Sequence, residues 1–248
     1  MSLNLKEVTA GRLNRSSHDN LLADHEKREI IPLYNDYKAN VLIVGPTKSG
    51  KTSFIVDLLN SPDNRFDILT ILAPRATLDQ GKYDKLIDDE TVIAYPIDTA
   101  KGIPPPRLIL NPKLVNLVIF DDVLNDQKKN NLNVITEYLV NGSRFNASIY
   151  ISLQALKELA PRYRNQCKIW CLSAMCSVLE LKAAFEDVFD GDFTNADIRE
   201  LISIMKRPEN KYKMLICNNN LSVEKGRYRL DDQIITVQQP NFRIPDED

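Results

Sequence analysis

One stretch of eight residues, 45–52, has the composition of a loop that wraps around a phosphate group. It reads Gly-Pro-Thr-Lys-Ser-Gly-Lys-Thr and fits the pattern G-x-x-x-x-G-K-[ST]. Glycine at its first and sixth positions lets the backbone curl, so that successive N–H groups point at one anion. The predicted phosphate-binding set is Gly45, Pro46, Thr47, Lys48, Ser49, Gly50, Lys51 and Thr52. Within this set Lys51 could reach the β- and γ-phosphates of a nucleotide, and the Thr52 hydroxyl could ligate magnesium.

Two adjacent carboxylates complement this loop. Asp121 and Asp122 directly follow the apolar run Leu117–Phe120. A phosphate-binding loop needs a carboxylate at the end of a neighbouring strand to hold the hydration shell of Mg²⁺, and Asp121 is the candidate. Asp122 could activate the attacking water as a general base. The loop and the two carboxylates together predict a nucleoside triphosphate and Mg²⁺ as cofactors.

The motifs of GTPases do not accompany these residues. The fourth position counted from Asp121 is Leu124, where the D-x-x-G motif has glycine, and no N-K-x-D motif follows. We therefore expect the nucleotide to be ATP.

Two further side chains flank a strand predicted at residues 148–154. Gln154 ends this strand, where its amide could sense the γ-phosphate or orient water. Arg144 precedes it and could reach the nucleotide of a neighbouring subunit as an arginine finger, which stabilises charge in the transition state. An ordinary surface ion pair would account for Arg144 equally well.

Short apolar runs alternate with helix-like segments over much of the chain. This pattern predicts an α/β fold, a RecA-like P-loop NTPase core with a mostly parallel central sheet flanked by helices. The predicted strands are 41–45, 68–73, 91–95, 117–120, 148–154, 168–172 and 212–217, and the predicted helices are 51–60, 129–140, 177–187 and 195–205. We divide the chain into an N-terminal leader (1–38), a P-loop ATPase domain (39–217) and a C-terminal extension (218–248).

The segment between Lys51 and Asp121 holds further strand candidates. The Asp121 strand therefore need not adjoin the P-loop strand. This resembles the branch of P-loop ATPases that has an added central strand and a catalytic carboxylate. A short helical segment after Gln154 is predicted to be broken by Pro161, and a proline-rich connector is predicted at 103–107.

The composition excludes several classes of protein. Apolar residues make up 43% and charged residues 27%, as in ordinary globular proteins. No run of 18 apolar residues and no apolar core of a signal peptide occurs, which predicts an intracellular protein without a membrane span. The net charge of −2 is unlike that of a free-standing basic DNA binder, although a ring with a few cations around a channel remains compatible with it.

Cysteine and histidine do not form a recognisable metal or nucleophilic site. The spacings of the four cysteines, Cys167, Cys171, Cys176 and Cys217, lack paired C-x-x-C motifs. We expect these thiols to pack in the core as small hydrophobic groups. The two histidines, His18 and His25, lie in the polar leader, which excludes a Ser-His-Asp machinery elsewhere.

The order of the motifs resembles one family. GPTKSGKT, then LVIFDDV, then NGSRFNAS leading into IYISLQ resembles the genome-packaging ATPases of poxviruses and other large DNA viruses, which belong to the FtsK–HerA superfamily of DNA pumps. The resemblance covers residues 40–190. Relatives often carry Arg-His before the last strand, where this chain has Ser143-Arg144.

The family implies ATP hydrolysis by a homo-oligomeric ring that drives double-stranded DNA into a preformed capsid. Its partners would be double-stranded DNA and capsid or portal-vertex proteins, and its location the host cytoplasm, a viral factory or the virion. Contacts with DNA should be cationic, because phosphate charge dominates binding that is independent of base sequence. The candidates, which we expect near strand ends on an edge facing the ring, are Lys128, Lys129, Lys157, Arg162, Arg164 and Lys168, with Glu158 the acid among them. Solvated surface charge is the alternative for each.

Two other functions stay open. A monomeric small-molecule kinase would use the same P-loop, although Asp122 and Gln154 fit it poorly. An assembly or scaffold protein gated by ATP would bind the nucleotide and turn it over very little.

Overall fold

The computed structural model describes residues 39–59, 66–84, 91–97, 102–123, 129–189, 193–221, 227–231 and 233–235. Within these ranges the strands form one nine-stranded sheet. The strands are β1 Asn40–Val44, β2 Ile68–Ala73, β3 Val92–Pro96, β4 Asn116–Phe120, β5 Ala147–Leu153, β6 Ile169–Ser173, β7 Met214–Asn218, β8 Tyr228–Leu230 and β9 Gln233–Ile234.

The strand order across the sheet is β3-β2-β4-β5-β1-β6-β7-β8-β9. The pairs from β3 to β6 are all parallel, and those from β6 to β9 are antiparallel. Strand β5 therefore lies between β1, which leads into the P-loop, and β4, which leads into Asp121. The sequence left open whether the Asp121 strand adjoins the P-loop strand, and the structure shows that it does not. The predicted mostly parallel α/β fold is confirmed.

Each face of the sheet carries its own core, because successive side chains of a strand point to opposite faces. In β1, Val41 and Ile43 belong to one cluster, and Leu42 and Val44 to the other. Since both faces are covered, the central strands are predominantly apolar, as in other parallel sheets. This is why the apolar runs were readable as strands.

The helices and helical turns are α1 Lys51–Leu59, α2 Arg75–Leu78, α3 Pro106–Ile109, α4 Lys129–Asn141, α5 Pro161–Arg164, α6 Val178–Val188 and α7 Asn195–Met205, with 3₁₀ turns at Gly142–Phe145, Leu156–Glu158 and Pro208–Asn210. Helix α1 packs on the Val41 face, and α4, α6 and α7 contribute to the other core. The Ser177 hydroxyl accepts a hydrogen bond from the Glu180 N–H and caps α6, and Thr194 caps α7 through the Asp197 N–H.

Three sequence-based expectations differ from the structure. Pro161 begins α5 rather than breaking a helix, because the first position of a helix needs no N–H donor. The proline-rich connector likewise contains α3, which begins at Pro106. Strands β8 and β9 lie in the predicted C-terminal extension, yet β8 pairs with β7, so the sheet continues past residue 217. The leader (1–38) and residues 236–248 lie outside the described residues.

The four cysteines are buried and free, as predicted. Burial raises the pKa of Cys167 and of Cys176 to about 12, so both thiols stay protonated. Among the described residues no group of three or more His, Cys, Asp or Glu side chains could hold a metal ion. His18 and His25 lie outside those ranges. No helix in the described part of the chain is both long enough and apolar enough to cross a membrane.

Candidate active site

The predicted site residues follow neighbouring parallel strands where those strands end. We call the side of the sheet on which β1 to β6 end the carboxyl edge, and the opposite side the amino edge. Gly45 follows β1, Asp121 follows β4 and Gln154 follows β5. Parallel pairing aligns these ends, with Val44 beside Leu153 and Phe120 beside Ile151. The topology alone therefore brings the three segments to one side of the sheet.

Glycine is required at both glycine positions of the P-loop pattern, for different reasons. A Cβ atom at position 45 would lie 2.5 Å from Ser49 Oγ and 2.7 Å from Ser173 Cβ, so only glycine fits there. Gly50 has a φ of +88°, a conformation that L side chains rarely adopt. Lys48, with a φ of +64°, also turns the chain to the left-handed region. The backbone thus makes the cradle that the sequence pattern predicted.

Ser49 is buried beside Gly45 within this loop. Within the part of the chain that the structure describes, the buried Ser49 Oγ has no hydrogen-bond partner. Pro46 and Gly50 are half-buried, and Thr47 and Lys48 are exposed. Helix α1 begins at Lys51, so its unpaired N–H groups and positive dipole end face the loop. A buried donor without a partner beside a helix N-terminus suits the phosphates of a nucleotide.

Lys51 lies across the mouth of the loop. Its Nζ donates to Gly45 O at 2.6 Å and to Pro46 O at 3.1 Å, and the residue is 8% exposed. Burial lowers the pKa of Lys51, and the carboxylates of Asp121 and Asp122 oppose that shift. A desolvated ammonium held by two carbonyl groups attracts an anion more strongly than a solvated one does.

Asp121 is in direct contact with the other predicted magnesium residue. Its Oδ2 accepts a hydrogen bond from Thr52 Oγ1 at 2.9 Å, and Asp121 is only 1% exposed. The hydroxyl of Thr52 donates a hydrogen bond to the carboxylate, so its oxygen lone pairs are available to another partner. Hydroxyl and carboxylate oxygens are the hard ligands that Mg²⁺ prefers. The donor set at Thr52 and Asp121 therefore fits a magnesium ion.

Asp122 and Gln154 also meet. Gln154 Nε2 donates to Asp122 Oδ1 at 2.7 Å. Asp122 has a φ of +57°, an uncommon backbone conformation for a residue other than glycine. Strained backbone of this kind often occurs where function requires one orientation. The structure thus brings the predicted general base and the predicted γ-phosphate sensor into one hydrogen bond.

The sequence did not identify Glu158 as a site residue. It was noted only as the one acid among the candidate DNA-contacting cations. Its carboxylate accepts hydrogen bonds from the backbone N–H groups of Gln154 at 3.2 Å and Ala155 at 3.1 Å. Burial raises the pKa of Glu158, the two N–H donors oppose this shift, and Asp122 adds to it. Glu158 therefore stabilises the turn that positions the Gln154 side chain.

Tyr83 is a second residue that no motif signalled. It lies in the connection after β2, and its Oη donates to Asp121 Oδ2 at 2.9 Å. The side chain is completely buried in the core on the α1 side of the sheet. The only hint in the sequence is a lone tyrosine in a polar segment, which is too common to be informative.

Arg144 lies far from the nucleotide site of its own chain. It is exposed in the 3₁₀ turn Gly142–Phe145, which precedes β5 on the amino edge. Gln154 follows the same strand on the carboxyl edge. The seven residues of β5 separate the two edges by about 20 Å.

The predicted DNA-contacting cations do not share one edge, which corrects that expectation. Lys157 follows β5 on the carboxyl edge, whereas Lys168 precedes β6 on the amino edge. Arg164 forms an ion pair with Asp187 at 2.6 Å and also donates to Leu156 O, so it holds α5 against α6. The exposed Arg162 lies over the Tyr163 ring at 4.5 Å. Lys128 and the Lys129 side chain lie outside the described residues.

Comparison with known proteins gives structural neighbours but no sequence family. No protein-family model matches the chain, and no curated protein sequence matches it. The DNA-packaging ATPase B204 from Sulfolobus turreted icosahedral virus is similar in structure, with a TM-score of 0.55 and 18% identity over 82% of this chain and all of B204.

Two further structures share this similarity. The genome-packaging NTPase B204 from Sulfolobus turreted icosahedral virus 2, in complex with AMPPCP, has a TM-score of 0.51 and 16% identity over 80% of this chain and all of that chain. EssC (ATPases 2 and 3) from Geobacillus thermodenitrificans has a TM-score of 0.55 and 12% identity, over 83% of this chain and 40% of EssC. At these identities the likeness establishes the fold. The chain has the RecA-like P-loop fold that these NTPases share.

Proposed function

We propose that this chain hydrolyses ATP and uses the energy to translocate double-stranded DNA. The observation that carries the proposal is the pair of contacts beside the P-loop, Thr52 with Asp121 at 2.9 Å and Gln154 with Asp122 at 2.7 Å. They bring a metal-binding pair and a general base with its orienting amide to the same edge as Lys51. A protein that merely held a nucleotide would not need the second contact.

Each residue has a defined task in hydrolysis. The N–H groups of the loop and Lys51 would bind the phosphates, and Thr52 with Asp121 would hold a magnesium ion, which would supply the charge neutralisation that phosphoryl transfer needs. Asp122 accepts a proton from the attacking water. Gln154 donates to Asp122, and Glu158 accepts from the Gln154 backbone N–H. These two hydrogen bonds would link a γ-phosphate beside Asp122 to the turn after β5.

The motor function is supported by the structural neighbours and by the position of Arg144. B204 is described as a genome-packaging NTPase, and its fold extends over most of this chain. Arg144 and the nucleotide site lie on opposite edges of the sheet, so the arginine can complete only the site of another subunit. We infer a homo-oligomeric ring in which Arg144 of each chain reaches the P-loop of its neighbour, and in which exposed cations contact DNA.

The finer proposal is packaging of a viral genome into a preformed capsid. It is supported by the resemblance of the motifs to the packaging ATPases of large DNA viruses. It requires capsid or portal-vertex proteins as partners and a location in the host cytoplasm or a viral factory.

The deciding experiment measures phosphate release with and without double-stranded DNA, together with the mass of the particle in the presence of a non-hydrolysable ATP analogue. We expect DNA to stimulate hydrolysis, the chain to assemble with the analogue bound, and Lys51→Ala to abolish the activity. A monomer that ignores DNA and phosphorylates a small molecule would instead support the kinase. Binding of ATP with negligible turnover, with or without DNA, would support the assembly protein.

A further inference from the structure

The magnesium-binding carboxylate has a second hydroxyl partner from outside the known motifs. Tyr83 Oη lies 2.9 Å from Asp121 Oδ2, the same oxygen that accepts from Thr52 Oγ1 at 2.9 Å. Both members of the pair are inaccessible to solvent, with Tyr83 at 0% and Asp121 at 1% exposure. Water therefore does not compete for this hydrogen bond, and a hydrogen bond to an ionised acceptor is among the stronger ones.

Strand β2 and the segment that follows it hold Asp121 at two points. The Asp121 N–H donates to Leu72 O in β2 at 3.0 Å, and the carboxylate accepts from Tyr83, in the connection after β2. Because β2 pairs with β4 in register, the end of β2 lies beside the end of β4. Backbone and side chain of Asp121 are thus both fixed by its neighbour on the side away from the P-loop.

We propose that Tyr83 is a positioning residue that orients the Asp121 carboxylate for Mg²⁺. Thr52 holds the carboxylate from the P-loop side, and Tyr83 holds it from the β2 side. With both donors on Oδ2 the carboxylate is held in one orientation. A phenylalanine at position 83 would fill the same space in the core but leave Oδ2 with one donor instead of two.

The chemistry of Tyr83 suits this role, because a phenolic hydroxyl is an O–H donor and Asp121 Oδ2 is the acceptor. Groups that orient a metal ligand change metal affinity by about 10–100-fold when removed. The role of Tyr83 depends on the proposed function only through magnesium binding at Thr52 and Asp121, and not through hydrolysis or DNA.

The test measures the binding of a fluorescent ATP analogue to the full chain, first in EDTA and then over a series of Mg²⁺ concentrations. For Tyr83→Phe we expect the half-saturating Mg²⁺ concentration to rise about tenfold or more, with unchanged affinity in EDTA. The matched control is Tyr138→Phe. Tyr138 is equally buried and its Oη donates to Pro104 O at 2.8 Å on the other face of the sheet, so its loss should leave the Mg²⁺ dependence unchanged.

A second comparison distinguishes a positioning role from a general loss of stability. In the Asp121→Asn background there is no carboxylate to orient, so adding Tyr83→Phe should cause no further change in Mg²⁺ dependence. A wild-type Mg²⁺ dependence in Tyr83→Phe, equal shifts in Tyr83→Phe and Tyr138→Phe, or additive shifts in the double variant would each overturn the role. If the wild-type chain binds the Mg²⁺ complex but does not hydrolyse ATP, the proposed function fails while the role of Tyr83 stands.

Discussion

The residues that the proposed function assigns to the two edges of the sheet differ in how their side chains are held. On the carboxyl edge Lys51 and Asp121 are buried and bonded to named partners within the chain. On the amino edge Arg144 and Lys168 are exposed to solvent. Fixed and desolvated groups stabilise developing charge without reorganising, whereas solvated cations gain strength only when another molecule excludes water from them. The proposed function accordingly assigns hydrolysis to the carboxyl edge and contacts with another molecule to the amino edge.

The largest effect is expected on the carboxyl edge. Lys51→Ala removes the cation that faces the phosphates and should lower the rate of phosphate release by about a thousandfold. The matched control is Lys113→Ala, an exposed lysine in a turn before β4, which should hydrolyse ATP at the wild-type rate. Wild-type hydrolysis in Lys51→Ala would contradict the assignment of the nucleotide site to the carboxyl edge.

A comparable loss of hydrolysis is expected when Arg144 on the amino edge is replaced, but only if the chains have assembled. Arg144→Ala should slow hydrolysis by about a thousandfold, the lower end of the range for arginine fingers. Arg107→Ala, an exposed arginine on α3 beside the turn that holds Arg144, is the matched control and should change little.

Mixing of variants tests whether Arg144 acts on another chain. Arg144→Ala retains an intact P-loop and Lys51→Ala retains an intact arginine, so their mixture should recover part of the phosphate release. No recovery, together with normal assembly of the mixture, would mean that the amino edge does not complete a neighbour's site.

A smaller effect is expected within the carboxyl edge, where binding and chemistry can be separated. Asp122→Asn should lower kcat by about a hundredfold and leave the affinity for the Mg²⁺–ATP complex unchanged. Asparagine tolerates the positive φ of position 122, so the turn should keep its shape. Single-turnover hydrolysis and equilibrium binding measure the two quantities, and an equal loss of both would assign Asp122 to binding.

The smallest effects compare two arginines of α5. Arg162 is exposed, so Arg162→Ala should reduce the slope of log affinity for DNA against log salt by about 1. Arg164 is paired with Asp187, so Arg164→Ala should instead lower the free energy of unfolding by about 1 kcal/mol and leave the salt slope unchanged. Salt-dependent DNA binding and urea unfolding distinguish them. A reversed pattern would return Arg164 to the DNA-binding set.

Local patterns were enough to predict the parts of the site that are continuous in the chain. The two glycines of residues 45–52 allow the backbone conformation of the loop, so the sequence pattern identifies it. The strands before Gly45 and Asp121 are covered on both faces, so they stand out in the sequence as apolar runs. The short strands β8 and β9 were missed, because three and two residues are too few to show periodicity.

By itself the sequence determined the phosphate loop, the paired aspartates, Gln154 and the alternation of strands and helices, since each of these is set by neighbouring residues in the chain. Only the tertiary structure decided that β5 separates β1 from β4, that Tyr83 reaches Asp121 across 38 positions, and that Glu158 holds the Gln154 turn. It also decided that Arg164 pairs with Asp187 and that Arg144 lies on the edge opposite its own P-loop. These contacts depend on which strands are neighbours, and the packing of the whole sheet determines the strand order.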